Sequence, residues 1–149
     1  MSLHISTSER IFPEILDKNA FIEIFSKEMS KRGYGLKQSR ESGFDIIYSD
    51  FFGEAKIYLT QDSGFLRFGY RLGVSFLLFA FIIIFPLLDF TYIVLSAGVL
   101  ALWILKLILL KSVINECATN TYMLLKHGYH TGTEAVSYTH LTLPTILLV

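Results

Sequence analysis

The chain has 149 residues, 52% of them hydrophobic, and its 13 basic residues balance 13 acidic ones. That length holds one domain or a small domain with an appendage, and the neutral charge excludes a general nucleic-acid binder, which carries a basic excess. The 15% aromatic content excludes disorder, and the single cysteine, Cys117, excludes a disulfide framework or a cysteine-rich zinc site.

Residues 1–71 form the charge-rich part, holding ten acidic and ten basic residues. The opening MSLHISTSERIF has no cationic start followed by an apolar core, so it reads as an unstructured beginning containing His4, not as a signal peptide. A helix is predicted over 18–32, with Asp17 as its N-cap and Phe21, Ile24, Phe25 and Met29 at helical spacing. Lys31, Arg32 and Gly33 supply its stop signal. Strands are then predicted over 44–48, 54–60 and 65–70, with a weaker one over 34–38, separated by Gly- and Ser-containing turns. Ala55, Ile57 and Leu59 alternate with Lys56, Tyr58 and Thr60, as a sheet with one buried face requires. The expected unit is α+β: a helix on a small antiparallel meander, with too small a core to be stable without further packing.

Apolar residues concentrate beyond this module. Leu72 to Leu88 carries no charge, and Phe90 to Leu110 carries only Lys106. Each run approaches the roughly 20 residues that cross a ~30 Å hydrocarbon core. The expectation is a two-helix transmembrane hairpin over 72–110, turning at Asp89, with Pro86 helping to end its first helix. Arg67, Arg71, Lys106 and Lys111 flank its outer ends, which places both termini in the cytoplasm of a multi-pass cell-membrane protein. Lys106 is expected to snorkel toward the headgroups, since the only acid near the hairpin, Asp89, lies at its far end. Ser96, Ala97, Gly98 and Ala101 are small enough to permit close helix packing.

From Leu110 the spacing of Val113, Ile114, Cys117, Thr121, Leu124 and Leu125 continues one apolar stripe, with a stop expected at Lys126, His127 and Gly128. This cytoplasmic helical extension, 111–134, is expected to pack on the amino-terminal module, with Cys117 as a small buried apolar residue. The last segment, 135–149, contains VSYTHLTLPT. That string resembles the peptide produced when sequencing-adapter DNA is translated, which implies a natural chain continuing beyond about residue 134.

Few residues suggest chemistry. Asp45, followed by Glu54-Ala55-Lys56, resembles the metal-dependent nuclease pattern of the restriction-endonuclease-like fold. In that family two carboxylates hold a divalent ion and the lysine assists an attacking water. Here the Glu-x-Lys opens its strand instead of closing it, so the three are read as solvent-facing charges. His127 and His130 are separated by Gly128, which breaks the register that would align them on a metal. No catalytic, cofactor-binding or metal-ligating set is assigned, and no cofactor is expected. The expected role is a non-enzymatic, membrane-anchored interaction, regulatory or sensory component. Its partners would be the lipid bilayer and either another copy or a membrane protein. The alternatives are a pore- or holin-like hairpin and, last, a membrane-tethered nuclease.

Overall fold

The computed structural model describes residues 2–13 and 16–147, with side chains described for 4–13 and 16–128. It has an α+β architecture of five strands and three helices. The strands are β1 (Ser2–Phe12), β2 (Lys37–Gln38), β3 (Ile46–Ser49), β4 (Gly53–Asp62) and β5 (Phe65–Ser75). The helices are α1 (Lys18–Lys31), α2 (Phe76–Leu88) and α3 (Tyr92–Leu147). All strand pairs are antiparallel, in the order β1-β5-β4-β3-β2.

The helix α1 forms where its pattern requires. Asp17 accepts a hydrogen bond from the Asn19 N–H, and Phe21, Phe25 and Met29 fall on one fully buried face. Gly33, at φ 87°, takes the left-handed conformation that lets the chain leave the helix. Along β4, Ala55, Ile57 and Leu59 point into the core as their alternation predicts. They meet Leu66, Phe68 and Tyr70 of β5 and the aromatic residues of α1.

Three parts of the fold correct the sequence reading, two of them around the sheet. The opening residues are not unstructured: they form β1, an 11-residue edge strand on β5 with an irregularity between His4 and Ser6. The inner face of β1 is mostly polar, with Ser6, Ser8 and Arg10 opposite the buried Leu72, Tyr70 and Phe68. Ile11 points outward, so no apolar alternation betrays the strand. The uncharged run beginning at Leu72 is also divided. Leu72 and Val74 complete the buried face of β5, and α2 starts only at Phe76. At 13 residues α2 is about 20 Å long, short of the ~30 Å hydrocarbon core. Pro86 lies inside it, two residues before its end.

Among the described residues one helix, α3, is long and apolar enough to cross a membrane, and only 11% of its most apolar stretch is buried within the protein. Low burial separates it from a soluble core helix. The same helix then enters the core of the module. Leu110, Ile114, Cys117 and Ala118 are buried in one cluster with Phe21, Phe25, Met29 and Phe68, as expected for the extension. Arg32, just past α1, donates to both carboxylate oxygens of Glu116 at 2.7 and 2.6 Å, and Arg10 of β1 donates to the Asn115 carbonyl and Thr119 hydroxyl. Lys126, His127 and Gly128 do not stop α3, which runs on to Leu147. A lone glycine weakens a long helix by only about 1 kcal/mol and does not end it. The reading of 135–149 and of His130 lies outside the described side chains.

Candidate functional site

The region where sheet and apolar helices meet is built around the turn between β3 and β4. Tyr48 enters it from β3, its ring buried and edge-on to Tyr34 at 5.3 Å between centroids. Asp50 opens the turn. Its Oδ1 accepts the N–H groups of Phe52 and Gly53 at 2.9 and 3.0 Å, and its own N–H donates to the Gly53 carbonyl at 2.9 Å. Its Oδ2 accepts the Tyr48 hydroxyl at 2.9 Å and the Lys106 ammonium of α3. The Lys106 nitrogen also sits 4.2 Å from the centroid of the Phe52 ring, a cation–π contact.

Every acceptor site of Asp50 therefore has a donor, and its charge has a counterion. Burial acts to raise its carboxyl pKa, but the hydrogen bonds from Lys106, Tyr48 and the Gly53 N–H outweigh burial and hold it below the ordinary value. Burial and the hydrogen bond to Asp50 push the Tyr48 phenol up. Lys106 is thus ion-paired within the protein. Its acidic partner is Asp50, 56 residues away in sequence, and only the packing of the β3–β4 turn against α3 reveals it.

An apolar cavity of about 250 Å³ adjoins this pair, lined by Phe51, Phe52, Leu78, Phe81, Val99 and Leu102. A second, polar cavity of about 450 Å³ lies between α1 and the β2–β3 edge, lined in part by Lys18, Ser26, Lys37 and Asp45. On the helix pair, Ser96 is buried and its hydroxyl donates to the Ile82 carbonyl at 2.8 Å. The other small residues, read from the sequence as permitting close packing within the hairpin or between copies, do not face α2: Ala97 and Ala101 are exposed, and a Cβ added to Gly98 would meet nothing within 4 Å.

The residues of the nuclease-like pattern go to separate partners. Asp45 pairs with Lys18 of α1 at 2.8 Å and accepts the Leu59 N–H. Lys56, on the sheet face away from α1, pairs with Glu41 at 2.6 Å and Glu54 at 3.6 Å. Among the described residues no group of three or more His, Cys, Asp or Glu is arranged to hold a metal ion.

No family model matches the chain, and no curated protein or solved structure matches it significantly.

Proposed function

We propose that the protein is a non-enzymatic, membrane-anchored interaction, regulatory or sensory component, in which α3 mechanically couples a lipid-embedded segment to the five-stranded module. The observation that carries this reading is the continuity of α3. Its exposed apolar turns around Leu95–Leu105 and its buried residues Leu110, Ile114, Cys117 and Ala118 belong to one uninterrupted helix. A tilt or rotation of the embedded part therefore moves Ile114 and Cys117 against Phe25 and Phe68 in the same motion, since packed cores do not deform continuously.

At the other end, β5 passes into α2 with no intervening residue, so the sheet is held to the apolar segment at two points. Within this reading α2 and α3 form the antiparallel pair inserted in the bilayer. Both outer ends lie on the side where Arg67, Arg71, Lys106 and Lys111 cluster, the cytoplasmic side by the positive-inside rule.

The competing pore reading needs polar groups along a path through the bilayer. The one charged group on the apolar part of α3, Lys106, is instead engaged by Asp50. The test is to reconstitute the full chain into lipid vesicles holding a potassium diffusion potential. The proposed role predicts that the protein resists extraction by alkaline carbonate and leaves the potential intact. Dissipation of the potential would replace it with the pore reading, and release by carbonate would remove the membrane anchor.

A further inference from the structure

We propose that the β3–β4 turn is a lipid-contacting wedge, its Phe51 and Phe52 side chains inserted among the acyl chains beside α2 and α3. This rests on the membrane reading above and adds to it a bilayer contact made by the sheet itself.

Depth is the first argument. Phe51 and Phe52 line the 250 Å³ apolar cavity with Val99 and Leu102, which lie four to seven residues to the apolar side of Lys106. At 1.5 Å per residue they sit about 6 to 10 Å deeper than the lysine along α3. On the α2 side the cavity is closed by Leu77, Leu78 and Phe81, from the first two turns of that helix. A turn that reaches these residues reaches the depth of the embedded helices.

Backbone chemistry is the second. Within hydrocarbon each unsatisfied backbone group costs several kcal/mol, so a non-helical segment survives there only if its polar groups are met internally. Three N–H groups of the turn are met in this way: Asp50 Oδ1 accepts those of Phe52 and Gly53, and the Asp50 N–H donates to the Gly53 carbonyl. The carboxylate is in turn neutralised by Lys106.

The surface itself is the third. Phe51 is 67% exposed and opens onto Leu77 and Leu102, which are 67% and 62% exposed, so the tip and the helices present one apolar surface. Acyl chains that cover the exposed residues of α2 and α3 cover Phe51 without a break. The ring of Phe52, stacked under the Lys106 ammonium, forms the shallow edge of the wedge, and Phe51 its deeper tip.

The experiment uses the full chain with Trp103, its single tryptophan, replaced by Phe, reconstituted in phosphatidylcholine–phosphatidylglycerol vesicles carrying lipids brominated at defined acyl positions. Phe51→Trp reports the wedge, Leu100→Trp reports α3, and Ile11→Trp, at the far end of β1, is the water-exposed control. The proposal predicts that emission from the first two is quenched and blue-shifted, with Phe51→Trp quenched most by the shallower bromines, while Ile11→Trp is unaffected. Quenching of Leu100→Trp alone overturns the wedge and leaves the anchor standing, including the case where a second copy covers the turn. If Leu100→Trp is not quenched, the anchor fails and the wedge falls with it.

Discussion

The hydroxyl of Tyr58 donates to the carboxylate of Glu9 across Gly69, three residues that stand side by side on β4, β1 and β5. The phenol ring lies flat over the glycine, so a Cβ at Gly69 would come within 2.1 Å of Tyr58 Cζ. This contact clamps the outer face of the edge strand, where β1 has few apolar residues to hold it. Gly69→Ala is therefore expected to destabilise the protein by about 1–3 kcal/mol, the usual cost of overpacking. The loss would be read as a lower midpoint of thermal unfolding in detergent micelles. Because Tyr58→Ala removes the clashing ring, the double variant should lose less than the sum of the two single losses. Simple additivity would show that the ring does not lie over Gly69.

Burial and the bond to Glu9 raise the phenol pKa of Tyr58. Folding thus favours the protonated phenol. The associated stability is complete below the ordinary tyrosine pKa of about 10 and is lost as pH rises through the higher folded value. Tyr58→Phe should flatten the fall of stability above about pH 10 relative to the parent chain. An unchanged alkaline slope would mean that the phenol gains nothing from its site.

For Asp50 the sign reverses. Its carboxyl is held below the ordinary value, so its stabilisation is complete above the unfolded carboxylate pKa of about 3.9 and lost as pH falls through the lower folded one. Asp50→Asn should lower stability at neutral pH and make the remaining acid dependence shallower. Lys106→Met, which leaves the carboxylate without its counterion, is expected to cost about 1.5–3 kcal/mol, the range for hydrogen bonds to charged groups. A double-mutant cycle showing no coupling between the two positions would contradict the pairing.

Arg10 ties β1 to α3 from the inner face of the sheet, through the Asn115 carbonyl at 3.2 Å and the Thr119 hydroxyl at 2.8 Å. Arg10→Met keeps the apolar stem and removes those bonds. Amide hydrogen exchange should then accelerate in residues 6–12 by about ten- to a hundredfold, as losing roughly 1.5–3 kcal/mol implies. Exchange in β4, which is separated from β1 by β5, should not change. Equal acceleration in both strands would assign Arg10 to global stability instead of to docking of the edge.

How far these features can be read from the chain differs from element to element. α1 is legible because its cap, its buried stripe at 21, 25 and 29 and its terminating Gly33 all agree. β4 is legible because its two faces differ in polarity residue by residue. The strand β1 is not, because Ser6, Ser8 and Arg10 occupy its inner face and the pairing is carried by backbone bonds to β5. The boundary between β5 and α2 is hidden as well, since Leu72 and Val74 are equally suited to a sheet core and to a membrane helix. Most of the junction is invisible for a different reason. Asp50 looks like an ordinary turn residue, and Lys106 is its partner only because the turn between β3 and β4 folds back onto α3.

A maleimide labelling profile along α3 tests most directly whether this one helix is lipid-covered near Leu102 and protein-covered at Cys117. Burial raises the thiol pKa of Cys117, which further lowers its reactivity. In permeabilised vesicles a water-soluble maleimide should react slowly with the native Cys117 and rapidly after denaturation. In a Cys117→Ala background, Leu102→Cys should stay unlabelled and Leu124→Cys, at an exposed position, should label quickly. Labelling of native Cys117 as fast as that of Leu124→Cys would show that α3 is not docked on the sheet. Equally fast labelling of Leu102→Cys would show that it is not in the bilayer.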